Sequence, residues 1–118
     1  MSRGPVSEKA LDTALPLAAM RGTVYFLKPG RESPADFEIV NKQGVTLISV
    51  RMSRCLHIPL ADLEAEYGDA IFRLRAVPIS PAVYRELWLC SRYGRWRFFE
   101  IRDRDIIELA VPLGGSAA

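Results

Sequence analysis

The spacing of apolar residues changes several times along the 118 residues, and each change marks a new element. After Ser7, apolar residues recur every three or four positions, which predicts a helix that ends at Gly22. Pro16 lies inside this pattern and predicts a kink or a break, because proline removes one helical hydrogen bond and crowds the preceding turn. The next stretch, TVYFLK (residues 23–28), is β-branched and aromatic and predicts a strand.

Two further strands and a second helix follow. Residues 35–40 and 45–51 predict strands around an NKQG turn, and the second of them is apolar on both faces, which is typical of a central strand. From Pro59 the apolar residues return to a spacing of three and four, which predicts an amphipathic helix. Gly68 weakens this helix and Pro78 ends it.

Two last strands, residues 84–91 and 96–101, enclose a tight RYGR turn, and residues 102–109 predict a short closing helix or strand. In WRFFEI, alternation places Trp96 and Phe98 on one face and Phe99 on the other. The predicted order is α-β-β-β-α-β-β, a single α/β domain with a mixed sheet over residues 7–109. A disordered N-terminus (1–6) and a flexible tail (110–118) are expected on either side.

Charge and cysteine content narrow the functional classes. The chain has 16 basic and 14 acidic residues, and only three of the basic residues are lysine. Arginine binds phosphates and base edges with a planar fork, although a GC-rich genome favours arginine equally well. Two cysteines without a CxxC pattern predict no structural zinc and a reducing, cytoplasmic location. No segment approaches the roughly 18 apolar residues of a membrane span, so no membrane association is expected.

A short set of residues accompanies this order of elements. In PADFEIV, Asp36 opens the second strand, and in VTLISVR, Ser49 and Arg51 lie late on the third. The chain resembles the PD-(D/E)XK nuclease superfamily, and within it the archaeal Holliday-junction-resolvase type, over roughly residues 7 to 105. This resemblance implies a restriction-endonuclease-like fold: a helix, a three-strand antiparallel meander, a second helix and a further strand.

The resemblance also implies site residues and a cofactor. Asp36 matches the metal-binding aspartate, and Glu8 matches the first-helix glutamate that is a second metal ligand. Ser49 stands where the family has an acid, and Arg51 stands where it has the catalytic lysine. Such enzymes use Mg²⁺ to cleave phosphodiesters, and Mg²⁺ prefers carboxylate ligands. With a neutral Ser49, and with an arginine that is a poor general base, the Mg²⁺ site is expected to be weak or absent.

Other readings of Asp36 stay open. Glu38 shares a strand face with it, and Glu86 or Glu100 could complete a metal site from other strands. Alternatively, Asp36 forms a salt bridge with Arg51 across the hairpin.

Five basic residues are candidates for contact with nucleic acid. They lie in the KPGRES loop, after the third strand and in the RYGR turn: Lys28, Arg31, Arg54, Arg92 and Arg95. Exposed arginines in turns suit a phosphate backbone. DNA is the expected partner and RNA the alternative.

The sequence therefore predicts a nucleic-acid-associated protein of nuclease ancestry with a degenerate, weak or inactive Mg²⁺-dependent phosphodiesterase site. The alternative is a non-catalytic protein–protein interaction module on the same fold, such as a homodimer. A contiguous basic face around Asp36 favours nucleic acid, whereas scattered arginines with an exposed apolar patch favour a protein partner.

Overall fold

The computed structural model describes residues 8–30 and 32–110, and within them six strands form one sheet in chain order. The elements are α1 (Glu8–Ala19), β1 (Thr23–Phe26), β2 (Phe37–Asn41), β3 (Gly44–Met52), a 3-10 turn (Leu60–Asp62), α2 (Leu63–Glu66), α3 (Gly68–Arg75), β4 (Val83–Cys90), β5 (Trp96–Ile101) and β6 (Ile106–Leu109).

The sheet is mixed. Strands β1, β2 and β3 form an antiparallel meander, β3 pairs with β4 in parallel, and β4, β5 and β6 are again antiparallel. A parallel connection needs a crossover, which the segment carrying α2 and α3 supplies. This is the helix, meander, helix and strand order of the restriction-endonuclease-like fold, so the predicted fold class is confirmed.

Each face of the sheet has its own core. Helix α1 covers one face, which we call the α1 face, and it does so with Ala10, Ala14 and Ala18, small residues at a spacing of four. Such residues place the helix backbone close to the sheet. Helices α2 and α3 cover the opposite face, which we call the α3 face, with larger side chains such as Leu63 and Leu74.

Strands β3 and β4 lie at the centre and are buried on both faces. In β3, Ile48 and Val50 pack on the α1 face while Leu47 packs on the α3 face, and all are buried. The expectation of a central third strand is therefore confirmed. The alternation predicted for β5 is also confirmed, since Phe98 packs on the α1 face and Phe99 on the α3 face.

The local structure differs from the prediction in both helices. Of the two alternatives at Pro16, a kink or a break, the break does not occur, since α1 continues through this residue. Pro16 is exposed, as is Asp12 four residues earlier, so water can reach the carbonyl that loses its partner. The second helix is divided at Tyr67, next to Gly68. Of the two alternatives for residues 102–109, a helix or a strand, the structure contains the strand β6.

The predicted N-terminal segment, residues 1–6, lies outside the described residues, as do Ser7 and the tail from residue 111. No helix in the described ranges is long and apolar enough to cross a membrane.

A buried ion pair joins the end of α1 to β4. Arg21 donates two hydrogen bonds to the Glu86 carboxylate, at 2.8 and 3.0 Å, and the indole N–H of Trp88 donates to the same carboxylate at 2.9 Å. Both charged side chains are about 95% buried, with 5% and 4% exposed. Loss of one partner from such a pair costs about 3–5 kcal/mol, because the other charge is left buried.

Replacement of Gly44 by alanine tests the packing at the start of β3. Gly44 has φ +132°, and an added Cβ would overlap the Ala82 carbonyl that accepts the Val45 N–H at 2.8 Å. We expect Gly44→Ala to lower the free energy of unfolding by about 3 kcal/mol in urea titrations. Gly30→Ala is the matched control, since Gly30 has φ +144° with no atom near the added Cβ, and it should cost about 1 kcal/mol. Equal losses in the two variants would contradict this account.

Candidate functional site

Asp36 lies just before β2 and is tied to the strands on both sides. Its backbone N–H donates to the Ile48 carbonyl at 2.9 Å, and its carbonyl accepts the Leu27 N–H at 3.1 Å. The position of this side chain is therefore determined by β1 and β3 together. The predicted strand begins at Ala35, two residues before the observed start of β2 at Phe37. The placement of Asp36 at the open end of the β2–β3 hairpin agrees with the prediction.

The Asp36 carboxylate is already occupied by groups of the protein. Its Oδ2 accepts the Val50 N–H at 2.7 Å and lies 3.2 Å from Nη1 of Arg51, which also donates to the Val50 carbonyl at 2.7 Å. The two charged side chains are only 18% and 13% exposed. Of the alternatives for Asp36, the structure therefore contains the salt bridge with Arg51.

The surroundings of Asp36 act on its pKa in opposite directions. Burial raises the pKa of Asp36 above its ordinary value, because the charged carboxylate loses hydration. The Val50 N–H, the Arg51 guanidinium and, more weakly, the charge of Arg73 lower this pKa and oppose the rise. Burial is the larger effect.

Arg73 is a contributor to this site that the sequence did not identify as one. It lies on α3, pairs with Asp69 at 3.1 Å, and is close enough for its charge to act on Asp36. The spacing of Asp69 and Arg73 is visible in the sequence as a helical i,i+4 pair. What the sequence does not show is that α3 brings this charge close enough to act on Asp36.

Ser49 is buried, 2% exposed, and lies on β3 two residues before Arg51, so the two side chains share the α3 face. In the described part of the chain, no hydrogen bond joins the Ser49 hydroxyl to Asp36 or Arg51. Its role in catalysis stays a prediction, as does that of Arg51.

The acids considered as partners of Asp36 lie in different places. Glu8 is exposed at the first residue of α1, on the other face of the sheet, and its role as a metal ligand stays a prediction. Glu86 is held by Arg21, and Glu100 is the cross-strand partner of Glu86, so both are also on the α1 face. Glu38 alone among the three proposed replacements shares the α3 face, where its cross-strand partner is Leu47.

This set of groups does not fit a magnesium ion. Mg²⁺ takes near-octahedral oxygen ligands and usually at least one or two carboxylates. Here the carboxylate of Asp36 faces a guanidinium, a fixed positive charge that repels a divalent cation at the same oxygen. Among the described residues, no group of three or more His, Cys, Asp or Glu side chains is arranged to hold a metal.

Four exposed basic residues lie at the same end of the sheet as Asp36. Strands β1, β3 and β4 point in one direction, so the residues that follow them meet at one end. Lys28 follows β1, Arg54 follows β3, and Arg92 and Arg95 follow β4. We call these four residues the basic end.

Backbone hydrogen bonds continue across this end from strand to strand. The Leu27 N–H donates to Asp36, the Asp36 N–H donates to Ile48, and the Ser53 N–H donates to Cys90 at 2.8 Å. Lys28, the neighbour of Leu27, and Arg54, the neighbour of Ser53, thus lie beside residues that are bonded to the adjacent strand at this end. Arg31, the fifth predicted contact, lies outside the described residues.

The residues of the basic end differ from most other arginines in having no acidic partner. In the described ranges, Arg73, Arg75, Arg85, Arg97 and Arg102 each form a salt bridge, whereas Lys28, Arg54, Arg92 and Arg95 form none. Lys9 is also near this end, since its charge acts on the Cys90 thiol. Exposed acids lie there too, at Glu8 and Glu32, but cations outnumber them.

No protein-family model and no curated protein matches the chain. A solved structure that it is similar to is Hjc, a Holliday junction resolvase from the archaeal hyperthermophile Archaeoglobus fulgidus. The TM-score is 0.44 and the sequence identity 15%, and the match covers 84% of this chain and 85% of that one.

Removal of the Arg51 charge should raise the pKa of Asp36 further, because Arg51 is one of the groups that lower it. We expect a carboxyl-carbon NMR titration to give an Asp36 pKa above 3.8 in the wild type and a higher value in Arg51→Gln. Arg54→Gln removes the same charge from an exposed position and should leave this pKa nearly unchanged. An unchanged value in Arg51→Gln would mean that the pair does not form.

The raised pKa of Asp36 also determines how this residue changes the free energy of unfolding with pH. Because the folded carboxyl binds its proton more tightly than the unfolded chain does, the contribution of Asp36 is fully present below pH 3.8 and is lost as the pH rises through the folded pKa. The wild type should therefore lose stability relative to Asp36→Asn over this range in urea titrations. The opposite slope would show that the ion pair outweighs burial.

Proposed function

We propose that this protein binds nucleic acid through the basic end and that its ancestral nuclease site no longer cleaves. The observation that carries the proposal is the contact between Asp36 Oδ2 and Arg51 Nη1 at 3.2 Å. The guanidinium of Arg51 thus pairs with the carboxylate that would bind the metal ion in a nuclease of this fold.

Nuclease ancestry is supported by the order of elements and by the positions of three residues. Asp36 directly precedes the second strand of the meander, and Ser49 and Arg51 follow on the third strand, where the resemblance places the family's acid and lysine. We infer from this that the position of the site is kept and that two of its three side chains have changed.

Loss of catalysis follows from the chemistry of the side chains. Phosphodiester hydrolysis in this family needs a bound divalent ion to lower the pKa of the attacking water. Ser49 supplies no negative charge, and the guanidinium of Arg51 does not deprotonate, so it is a poor substitute for a base. One oxygen of the remaining carboxylate, Oδ2 of Asp36, already accepts hydrogen bonds from Val50 and Arg51.

Association with nucleic acid is supported by the charges that have no internal partner. An arginine already bound to an acid gains little from a phosphate, whereas Arg54, Arg92 and Arg95 are exposed and form no salt bridge in the described part of the chain. DNA is the expected ligand and RNA the alternative, since phosphate contacts alone do not distinguish them.

A second candidate is a protein–protein module, in particular a homodimer. The observation in its favour is the edge strand β1, where Tyr25 and Phe26 are 54% and 59% exposed. Residues 23–26 contain neither a charge nor a proline, the features that usually protect an edge from pairing. Sedimentation of the protein with and without DNA separates the two candidates.

The direct test is binding and cleavage of labelled duplex, single-stranded and four-way-junction DNA, with and without Mg²⁺ or Mn²⁺. We expect the affinity to fall as the salt concentration rises, because the basic side chains displace counterions from the phosphates. No cleavage is expected, and Asp36→Ala should behave as the wild type does. Metal-dependent cleavage that Asp36→Ala abolishes would overturn the proposal, and absence of all binding would favour the protein–protein module.

The location of the binding surface is tested by two matched neutralisations. Arg54 lies in the basic end, whereas Arg104 lies in the β5–β6 turn at the opposite end of the sheet; both are exposed and form no salt bridge in the described ranges. We expect Arg54→Gln to weaken binding and to reduce the slope of log K against log salt by about 1. Arg104→Gln should change neither quantity. Equal effects in the two variants would mean that binding is spread over the surface.

A further inference from the structure

The tip of the β4–β5 hairpin is a rigid turn. The Ser91 N–H donates to the Arg95 carbonyl at 2.8 Å, and the Gly94 N–H donates to the Ser91 carbonyl at 3.1 Å. The Ser91 hydroxyl oxygen accepts the N–H groups of Tyr93 and Arg95, at 3.2 and 3.1 Å. Gly94 takes φ +82°, a conformation that glycine adopts without strain. Four hydrogen bonds therefore hold a turn of five residues in one shape.

This turn carries the exposed aromatic ring of Tyr93. Tyr93 is 83% exposed, and in the described part of the chain its ring contacts no other aromatic ring and its hydroxyl forms no hydrogen bond. The exposed Tyr84 differs, since its hydroxyl donates to the Pro81 carbonyl at 3.0 Å. Tyr93 thus contributes little to folding. Because the β4–β5 turn is already ordered, binding of a ligand to this ring would cost little backbone entropy.

Tyr93 is flanked by two arginines without acidic partners. Arg92 and Arg95 are both exposed, and neither forms a salt bridge in the described ranges. An aromatic ring and two arginines in one turn match the two chemical parts of a nucleotide, because the base can stack on the ring while the neighbouring phosphates bind the arginines.

Single-stranded and duplex nucleic acids differ in whether a base has a face that is free to stack on Tyr93. In a duplex each base is stacked on its neighbours and presents only its edges, so a tyrosine ring cannot lie against its face. In a single strand every base has a free face, and stacking on an aromatic side chain tolerates any sequence.

We infer that Tyr93 is a stacking platform for an unpaired base and that the β4–β5 turn gives this protein a preference for single-stranded segments. This inference rests on the proposed nucleic-acid binding and assigns it a substrate class. The remaining residues of the basic end, Lys28 and Arg54, would extend the contact along the strand backbone.

The test compares a fluorescein-labelled 15-nucleotide oligothymidine with a blunt duplex of the same length, by fluorescence anisotropy at two salt concentrations. Tyr93→Ala should weaken binding of the single strand about tenfold and change duplex binding little, because stacking is lost while the charges stay. Tyr93→Phe keeps the ring and should bind within about threefold of the wild type. Phe72→Ala, which removes a ring 74% exposed on α3, is the control and should bind as the wild type does.

A second readout reports stacking directly. An oligothymidine with one central 2-aminopurine should lose fluorescence when the wild type or Tyr93→Phe binds, since stacking quenches this base, and should keep it with Tyr93→Ala. Thermal melting of each variant verifies folding, which an exposed turn residue should not alter.

The outcomes separate this inference from the proposal beneath it. Salt-sensitive binding with equal affinities of the wild type and Tyr93→Ala for the single strand would overturn the stacking role and leave nucleic-acid binding intact. Preference for the duplex would do the same. Absence of binding to either ligand would overturn both and would point to a protein partner for the turn.

Discussion

The parallel pairing of β3 with β4 is the constraint on which the rest of the structure depends. It joins the β1–β3 meander to the β4–β6 meander through eight residue pairs, from Val45–Val83 to Met52–Cys90. Because both strands are buried on both faces, a shift in their register would move apolar side chains to the wrong face throughout the centre of the sheet. The same pairing makes the carboxyl ends of β1, β3 and β4 coincide, and this places the basic end and Asp36 on one edge of the molecule.

At this end of the sheet, the proposed loss of metal binding depends on the Asp36–Arg51 pair. A nuclease of this fold needs a carboxylate that is open to a metal ion, and here the carboxylate is bound by Val50 and Arg51 inside the protein. The positive charges that remain open lie beside it on Lys28, Arg54 and the β4–β5 turn. Under the proposed function, these exposed cations bind phosphates, and the paired carboxylate no longer takes part in their hydrolysis.

The sequence predicts the parts of this arrangement that depend on local periodicity. The alternation in residues 96–101 predicts which face of the sheet each side chain packs on. The run in β3 that is apolar on both faces predicts that this strand lies at the centre. The pairing of Asp36 with Arg51 was one of two alternatives, because a hairpin brings both residues to the same place whichever role they have. Arg73 could not be assigned to this site, since its proximity to Asp36 depends on where α3 crosses the sheet. The Arg21–Glu86 pair was missed for the same reason: its members are 65 residues apart and meet only through packing. The continuity of α1 through Pro16 could not be predicted, because the cost of a proline depends on its exposure, which the helical pattern alone does not give.

The most direct test of the central claim is a titration of the ¹⁵N-labelled protein with Mn²⁺, followed by paramagnetic broadening of backbone amide signals. If Arg51 closes the site, the signals of Asp36, Phe37 and Val50 should show no saturable broadening at millimolar Mn²⁺. Saturable broadening centred on these residues in the wild type, and its loss in Asp36→Asn, would show that the carboxylate still binds a divalent cation and would contradict the account.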